Sequence, residues 1–225
     1  MVIWHISDTH GGHESLVRPD NFDVVIHSGD FSNSRENALR ESEVFIDWYA
    51  SLDAPYKVLV AGNHDFIPYT SPALFKDLCM GTDICYLEES GVTFGGYNIW
   101  GTPYTPTFND WAFMKNRDKM YKVWDRVPIT TDILVTHGPP KGVLDLSTNR
   151  ERVLEMCGCT AMANTVFNRL QLKACLFGHI HNSSTTKNSG ILTLNGCQTI
   201  FSNGSTVTDG KHGQLTSHGN ILKIE

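Results

Sequence analysis

Short apolar runs alternate with polar stretches along most of the chain. The clearest runs are VIWHI (2–6), VVI (24–26), KVLVA (57–61), DILVT (132–136) and ACLF (174–177). Continuous apolar runs that are bounded by turn-forming residues are typical of strands buried on both faces of a sheet. The pattern therefore predicts a sheet core in which each of these strands runs into a polar loop.

Two segments between the predicted strands have helical spacing. Over residues 35–52 the apolar residues recur at spacings that mostly suit an amphipathic helix, namely Leu39, Val44, Phe45, Trp48 and Leu52. A second helix is predicted over residues 160–170. Because strands and helices alternate, the chain is predicted to adopt an α/β fold.

Two further segments are expected to form antiparallel hairpins. Residues 84–101 consist of short β-rich pieces broken by glycines, and residues 183–225 combine Gly, Ser, Thr and Asn with alternating apolar residues. The aromatic, proline-rich stretch at 102–113 between the core strands is predicted to be a loop. The sequence contains neither a repeat nor an interdomain linker, so a single domain over residues 1–225 is expected.

Composition and charge narrow the function classes. With 40% hydrophobic and 19% charged residues the chain has the composition of a globular protein. A net charge of −6 disfavours a nucleic-acid partner, although a local basic groove would still allow one. The sequence shows neither a membrane-spanning stretch nor a signal-peptide pattern, which predicts a cytoplasmic protein with free thiols. Monomer and homodimer both remain open.

Five polar loops follow the five apolar runs: SDTH, SGD, GNHD, THG and GHIH. In layered α/β folds, ligands bind at the carboxyl ends of the strands. If the strands lie side by side, the loops converge on one face. The side chains brought together there would be Asp8, His10, Asp30, Asn63, His64, His137, His179 and His181.

This donor set suits two divalent metal ions. Alternate residues of an extended segment point to opposite sides, so Asp8 with His10, and His179 with His181, can reach different ions or different corners of one. Asp30 has two carboxylate oxygens and can bridge. Mixed imidazole, carboxylate and amide ligation fits Mn, Fe, Zn or a mixed pair better than a thiolate site does, and the ligand types do not choose among these metals. Between two such ions, about 3.5 to 4 Å apart, a shared water loses its proton near neutral pH and becomes a nucleophile.

The order D-x-H, GD, GNHD, H and GHxH resembles the calcineurin-like metallophosphoesterases, over most of the chain. The stretches GDFSN (29–33), GTPYTPTFNDWAF (101–113) and TDILVTHGPPKGVLD (131–145) are similar to the small branch typified by the animal metallophosphoesterase-domain-containing proteins. The resemblance implies a four-layer αββα sandwich of two mixed β-sheets flanked by helices.

The resemblance also implies a role for each motif residue. Asp8, His10, Asp30 and His181 would hold the first metal. Asp30 would bridge to a second metal held by Asn63, His137 and His179. His64 would donate a proton to the leaving-group oxygen, oriented by Asp65. Each ligand position of the family pattern is filled in this sequence.

Each of these residues also has an ordinary structural explanation. Asp8 and Asp30 could cap helices after strand–helix turns. Asn63 could take a left-handed turn conformation next to Gly62. For a single residue the structural explanation is preferred, and only the shared pattern reverses it.

The remaining histidines also have ordinary structural explanations. An isolated histidine is more often a surface or hydrogen-bonded core residue than a ligand, and this is the interpretation preferred for His5, His212 and His218. His27 precedes the 28–30 loop and is expected to brace it.

Four residues are candidate substrate contacts. His13 either faces substrate or is a solvated loop residue. Asn33 ends the GDFSN stretch. Tyr104 and Phe108 either stack on a base or anchor their own loop, whereas Trp111 of the same loop is assigned to the core.

The leading functional hypothesis is a dinuclear-metal phosphodiesterase that acts on small phosphodiesters such as cyclic nucleotides or other nucleotide-derived esters. A phosphomonoesterase is the nearest alternative, but GDFSNS lacks the phosphate-gripping Arg of the related protein phosphatases. A repair-type nuclease would need extra DNA-binding segments. A non-catalytic scaffold would have lost ligands, and here they are all present.

Overall fold

The computed structural model describes residues 1–149, 151, 153–209 and 213–225, so His212 lies outside the described residues. The strands in chain order are β1 (Val2–Ile6), β2 (Val24–His27), β3 (Tyr56–Leu59), β4 (Ile84–Tyr86), β5 (Ser90–Phe94), β6 (Tyr97–Thr102), β7 (Thr105–Pro106), β8 (Met114–Lys115), β9 (Ile133–Thr136), β10 (Leu146–Thr148), β11 (Leu154–Met156), β12 (Ala174–Phe177), β13 (Gly190–Thr193), β14 (Ile200–Asn203) and β15 (Asn220–Lys223). The helices are α1 (Ala38–Ser51), α2 (Phe66–Thr70), α3 (Pro72–Cys79), α4 (Tyr121–Trp124) and α5 (Thr160–Asn168), with short 3-10 turns at His13–Ser15 and Arg117–Lys119.

Two mixed sheets form the centre of the fold. The first has the order β15-β1-β2-β3-β4, in which β1 to β4 run parallel and β15 returns antiparallel to β1. The second has the order β13-β14-β12-β9-β6-β5, with parallel central strands and an antiparallel strand at each edge. Two short pairs, β7–β8 and β10–β11, lie outside these sheets.

The strand register places the polar loops at one level. Ile6 at the end of β1 pairs with His27, which pairs with Leu59 at the end of β3. In the second sheet, Leu176 of β12 pairs with Val135 of β9. Parallel neighbours that end together release their loops side by side, which positions the site.

The buried side chains form the layers between and outside the sheets. Ile3 and Ile26 of the first sheet pack against residues of the second such as Val135. On the outer face of the first sheet, α1 and α3 pack against a cluster that includes Trp4. On the outer face of the second sheet, α4 and α5 pack against a cluster that includes Phe177. The order helix, sheet, sheet, helix confirms the predicted four-layer αββα sandwich.

The predicted core strands and the two predicted helices are confirmed, with shifts of up to three residues at their ends. One face of the first helix was predicted wrongly, because Leu39 and Val44 are 40% and 36% exposed. The buried face of α1 carries Phe45, as predicted, together with Ile46 and Tyr49, which the prediction did not include.

The hairpin prediction for residues 84–101 is correct only for β5 and β6. β4 pairs parallel to β3 and is an edge strand of the first sheet. In the tail, β13 and β14 form the expected antiparallel pair, but β15 crosses back to β1. Among the described residues, no helix is both long and apolar enough to cross a membrane.

Candidate metal centre

The loops after β1, β2, β3, β9 and β12 meet at one end of the two sheets, as predicted. Within each of three groups, potential ligand atoms lie within 4.8 Å of one another. The groups are Asp8, His10 and His181; His10, Asp30 and His64; and Asp30, His137 and His179. Asp30 and His10 each belong to two groups, so the donors form one continuous cluster.

Distances within the cluster put Asp30 at its centre. Asp30 Oδ2 lies 3.3 Å from His137 Nε2 and 3.8 Å from His10 Nε2. Asn63 Oδ1 lies 2.9 Å from the same His137 nitrogen, and His181 Nε2 lies 3.1 Å from Asp8 Oδ1. The carboxylate of Asp30 therefore lies between the rings of His10 and His137.

Backbone carbonyls orient the imidazole rings. His10 Nδ1 lies 3.1 Å from the carbonyl oxygen of Ser32, and His137 Nδ1 lies 3.0 Å from that of Ser28. Because a carbonyl oxygen only accepts hydrogen bonds, each Nδ1 carries the proton and donates it. Each Nε2 then points into the cluster, where His10 Nε2 is buried without a hydrogen-bond partner. A ring held through one nitrogen with the other directed at a common point is the usual arrangement of a metal ligand.

The backbone is strained at several candidate ligands. Asp8, His10, Asp30 and His179 have φ angles of 52°, 43°, 57° and 70°. Residues other than glycine rarely adopt positive φ, and such conformations concentrate at functional sites because the surrounding structure must compensate for their cost. The strain indicates that these loops hold their side chains for a role other than folding.

Glycines allow the loops to pack closely. A Cβ atom on Gly62 would overlap the backbone nitrogen and side chain of Asp30, and it would lie 2.7 Å from His137 Cε1. A Cβ atom on Gly178 would overlap Asp8 Oδ2 and Ser7 Oγ. The Gly residues of GNHD and GHIH are therefore required for close approach of the loops and not only for their turns.

The electrostatics of the cluster favour a bound cation. Burial acts to raise the pKa of both Asp8 and Asp30, but neighbouring histidines, mainly His181 and His137, outweigh it and keep both carboxyl pKa values below the usual range. Burial acts to lower the pKa of His137, but Asp30 reverses this and raises it to about 9. Burial lowers the pKa of His179 to about 3, so this ring is neutral. Ionised carboxylates and inward-facing imidazoles fit divalent ions of the Mn, Fe and Zn type.

His64 belongs to the second donor group, and its ring is held by neighbouring residues. Its backbone N–H donates to Asp30 Oδ1 at 2.7 Å, and its Nδ1 lies 3.0 Å from the carbonyl oxygen of Asn33. The ring stacks on Trp111 with a centroid distance of 4.3 Å and an interplanar angle of 26°. The carbonyl holds Nδ1, so Nε2 is the nitrogen left to exchange a proton with a ligand.

The orienting role expected for Asp65 is wrong. Asp65 Oδ2 accepts hydrogen bonds from the backbone N–H groups of Asp30 and Gly62, at 2.8 and 2.6 Å, and Oδ1 accepts one from Ser32 at 2.9 Å. Burial, together with the charge of Asp30, raises the pKa of Asp65 to about 8. Asp65 thus ties the SGD loop to the GNHD loop, and the Asn33 carbonyl orients His64 instead.

The four candidate substrate contacts lie in different places. Asn33 lines the cavity next to His64, and Phe108 lines a second cavity with its ring centroid 5.4 Å from that of His179. Tyr104 packs against Phe113 and beneath the ammonium group of Lys115, so its ring anchors the loop.

His13 is 2% exposed and packs against Phe45 and Trp48. It is therefore neither a solvated loop residue nor a side chain that lines one of these two cavities. His27 braces the 28–30 loop as expected, since its Nδ1 accepts a hydrogen bond from Gly29 N at 3.2 Å while its Nε2 lies 3.2 Å from Thr9 Oγ1.

Two residues of the site were missed. Trp111 was assigned to the core, because nothing in a tryptophan's sequence context shows which ring it stacks on. Asp209, whose Oδ1 lies 3.5 Å from His181 Nδ1, sits in the Gly- and Ser-rich tail, which carried no motif.

The chain is similar in sequence to known proteins. The model of the calcineurin-like phosphoesterase family matches residues 1–183. Human metallophosphoesterase domain-containing protein 1 is 32% identical over 220 residues, a match that covers 84% of this chain and 66% of the human protein. A UPF0046 protein of Caenorhabditis elegans is 33% identical over 203 residues, with the same two shares. The chain thus spans just under two thirds of the length of these relatives.

Solved structures show the same fold at low identity. Phosphopantetheinyl hydrolase from Mycobacterium tuberculosis superposes with a TM-score of 0.56 at 14% identity, covering 91% of this chain and 88% of the other. The protein TT1561 of Thermus thermophilus superposes with a TM-score of 0.59 at 13% identity, covering 90% and 88%. At such identities the likeness concerns the fold alone.

Proposed function

The chain belongs to the calcineurin-like phosphoesterase family, and we propose that it hydrolyses small phosphodiesters with two divalent metal ions bound at the cluster around Asp30. The observation that carries the proposal is the pair of donor groups on either side of Asp30, next to an oriented His64. The first ion would be held by Asp8, His10, Asp30 and His181, and the second by Asp30, Asn63, His137 and His179.

The protein's own residues would bind and orient the substrate. Two bound divalent ions would supply positive charge for the phosphoryl oxygens and lower the pKa of a water to near neutrality. Asp30 would keep the two halves of the centre together, while the carbonyls of Ser28 and Ser32 hold the rings of His137 and His10 in place.

His64 would supply the proton for the departing alcohol. The oxygen of a water that has given up one proton to solvent would bond to phosphorus as the P–O bond to the leaving group breaks, and the leaving oxygen would take a proton from Nε2, which solvent then restores. The stacked Trp111 and the Asn33 carbonyl support this role, because they limit the ring to one orientation. The side chain of Asn63, the residue before His64, faces His137 instead, with its Oδ1 2.9 Å from His137 Nε2.

Several finer points are part of the proposal. A diester is preferred to a monoester because the GDFSNS motif lacks an Arg to grip a doubly charged phosphate. Mn²⁺ is the proposed ion, with Fe, Zn or a mixed pair as alternatives that the same donors would accept. A cytoplasmic location is supported by the cysteines, since all six lie in the described part of the chain as free thiols.

Hydrolysis of bis(p-nitrophenyl) phosphate and p-nitrophenyl phosphate by Mn²⁺-loaded protein tests the proposal. We expect the diester to be hydrolysed with the higher kcat/KM, and Asp30→Asn to lower that value at least 100-fold while reducing bound metal. Preference for the monoester would support a phosphomonoesterase instead. Full metal occupancy without turnover of either ester or of a nucleotide diester panel would support a scaffold.

A further inference from the structure

Two separate cavities open beside the metal centre. The first, called here the polar cavity, has a volume of about 510 Å³ and is lined by His10, His64 and Asn33, with Thr9 and Ser15. The second, called here the aromatic cavity, has a volume of about 310 Å³. Its lining includes Pro106, Phe108, Pro139, Ile180, Arg117 and His179. The only described residues that line both are His181 and Asp209, so the cavities lie on either side of the centre.

We propose that the two cavities bind the two ester arms of a phosphodiester: the leaving alcohol in the polar cavity and the retained, apolar or aromatic substituent in the aromatic cavity. The inference rests on the proposed function and deepens it. It assigns Phe108 as a specificity-determining residue and names the substrate class as a diester with two chemically different arms.

The position of His64 decides which arm enters which cavity. A proton donor must lie within hydrogen-bond reach of the oxygen that departs, and His64 lines the polar cavity only. When water attacks phosphorus, the P–O bond on the far side breaks and its alcohol leaves on the His64 side. The substituent that stays on phosphorus must then extend elsewhere, and the aromatic cavity opens directly at His179 and His181.

The lining of the aromatic cavity suits an apolar group. The Phe108 side chain is 50% exposed and lies over the His179 ring, and Pro106, Pro139 and Ile180 supply further apolar surface. Exposed aromatic surface beside a reactive centre is typical of a binding site and not of a core. At the far wall, Arg117 is anchored to the carbonyls of Gly158 and Cys157, at 3.2 and 3.1 Å, which leaves guanidinium N–H groups for a polar edge of the substituent.

A pair of substrates with one leaving group isolates the retained arm. Phenyl p-nitrophenyl phosphate and methyl p-nitrophenyl phosphate both release p-nitrophenolate and differ only in the substituent that stays on phosphorus. We expect Phe108→Ala to lower the phenyl-to-methyl ratio of kcat/KM about tenfold, the scale on which an apolar pocket discriminates. Leu215→Ala, on the wall of the polar cavity, is the matched control and should leave this ratio unchanged.

The outcomes separate this inference from the proposed function. An unchanged ratio in Phe108→Ala, or a ratio that falls in Leu215→Ala instead, would overturn the assignment of the arms even though diesters are hydrolysed. If wild-type protein with both metals bound hydrolyses neither ester, the proposed function fails. Calorimetric binding of phenylphosphonate and methylphosphonate then still tests the aromatic cavity, because a Phe108-dependent preference for phenyl needs no turnover and its absence would overturn the inference.

Discussion

Two contacts fix the ring of His64, because its Nδ1 meets the Asn33 carbonyl and its face stacks on Trp111, while its backbone N–H donates to Asp30 and holds the main chain. A catalytic group that is held in one orientation loses less rotational freedom when the substrate binds. We therefore propose that Trp111 is a positioning residue that acts through His64. This role can be separated from general loop stability by comparing esters with good and poor leaving groups.

We predict that Trp111→Leu lowers kcat/KM for diphenyl phosphate about three- to tenfold, because a stacked aromatic pair contributes about 0.5 to 1.5 kcal/mol. His64→Ala should slow hydrolysis of diphenyl phosphate more than Trp111→Leu does. It should slow hydrolysis of bis(p-nitrophenyl) phosphate less than that of diphenyl phosphate, because p-nitrophenolate leaves without a proton. In the His64→Ala background, Trp111→Leu should cause no further loss. Equal losses in both backgrounds would show that Trp111 acts independently of His64.

At the scale of single residues, the donor types could be predicted from the sequence, but the contacts between side chains could not. The ligand candidates could be predicted because their chemistry depends on residue type and on position after a strand. The partner of His64 could not, since Asp65 and the Asn33 carbonyl are equally plausible until the turn is folded. Asp65 proved to bind backbone N–H groups of Asp30, Ser32 and Gly62.

At the scale of elements, the loops after the parallel strands carry the candidate metal ligands. The glycines of these loops set how closely neighbouring loops approach one another. A prediction follows for Gly62. In Gly62→Ala the new Cβ would overlap Asp30, so we expect the unfolding free energy to fall by about 1 to 3 kcal/mol, as for other overpacked sites, and metal affinity to fall with it.

The control for this variant is Gly96→Ala. Gly96 has a φ of 84° but open space around its Cα, so the substitution should cost only about 1 kcal/mol of backbone strain and leave metal binding intact. Urea unfolding and Mn²⁺ titration of both variants give the comparison. Wild-type metal affinity in Gly62→Ala would contradict the close-approach explanation.

The core strands were predictable because each is a continuous apolar run, whereas some short elements were not. α2 and α3 carry Pro68 and Pro72, which normally mark breaks; here Pro72 occupies the first turn of α3, where its missing N–H is harmless. β4 has only three residues, and its sequence does not reveal that it pairs parallel to β3. Strand partners depend on tertiary packing that periodicity does not encode.

At the scale of the whole molecule, the centre joins two sheets that also meet through apolar side chains and through hydrogen bonds such as that between His5 and Ser202. Asp8, Asp30 and Asn63 come from the first sheet, and His137 and His179 come from the second. A ligand that binds both sheets in the folded protein but not the unfolded chain must stabilise the fold, by about 2.7 kcal/mol at a concentration of 100 Kd.

This coupling predicts a pH-dependent thermal shift. In the metal-free protein the pKa of His137 is about 9, above its unfolded value, so its stabilising contribution is complete below about pH 6.5 and is lost as pH rises towards 9. A bound metal requires the neutral ring, so its affinity rises over the same range. The Tm difference between Mn²⁺-loaded and chelated protein should therefore widen from pH 6 to pH 8. A difference that stays constant or narrows would contradict this linkage.

In the proposed function, diester hydrolysis depends on two metal ions bound at the Asp30 cluster. Titrating metal-free protein with Mn²⁺, while bound metal per chain and hydrolysis of bis(p-nitrophenyl) phosphate are measured on the same samples, tests it most directly. We expect the hydrolysis rate to be low with one bound ion per chain and to reach its plateau at two. Full activity with a single ion, or two bound ions without hydrolysis, would contradict it.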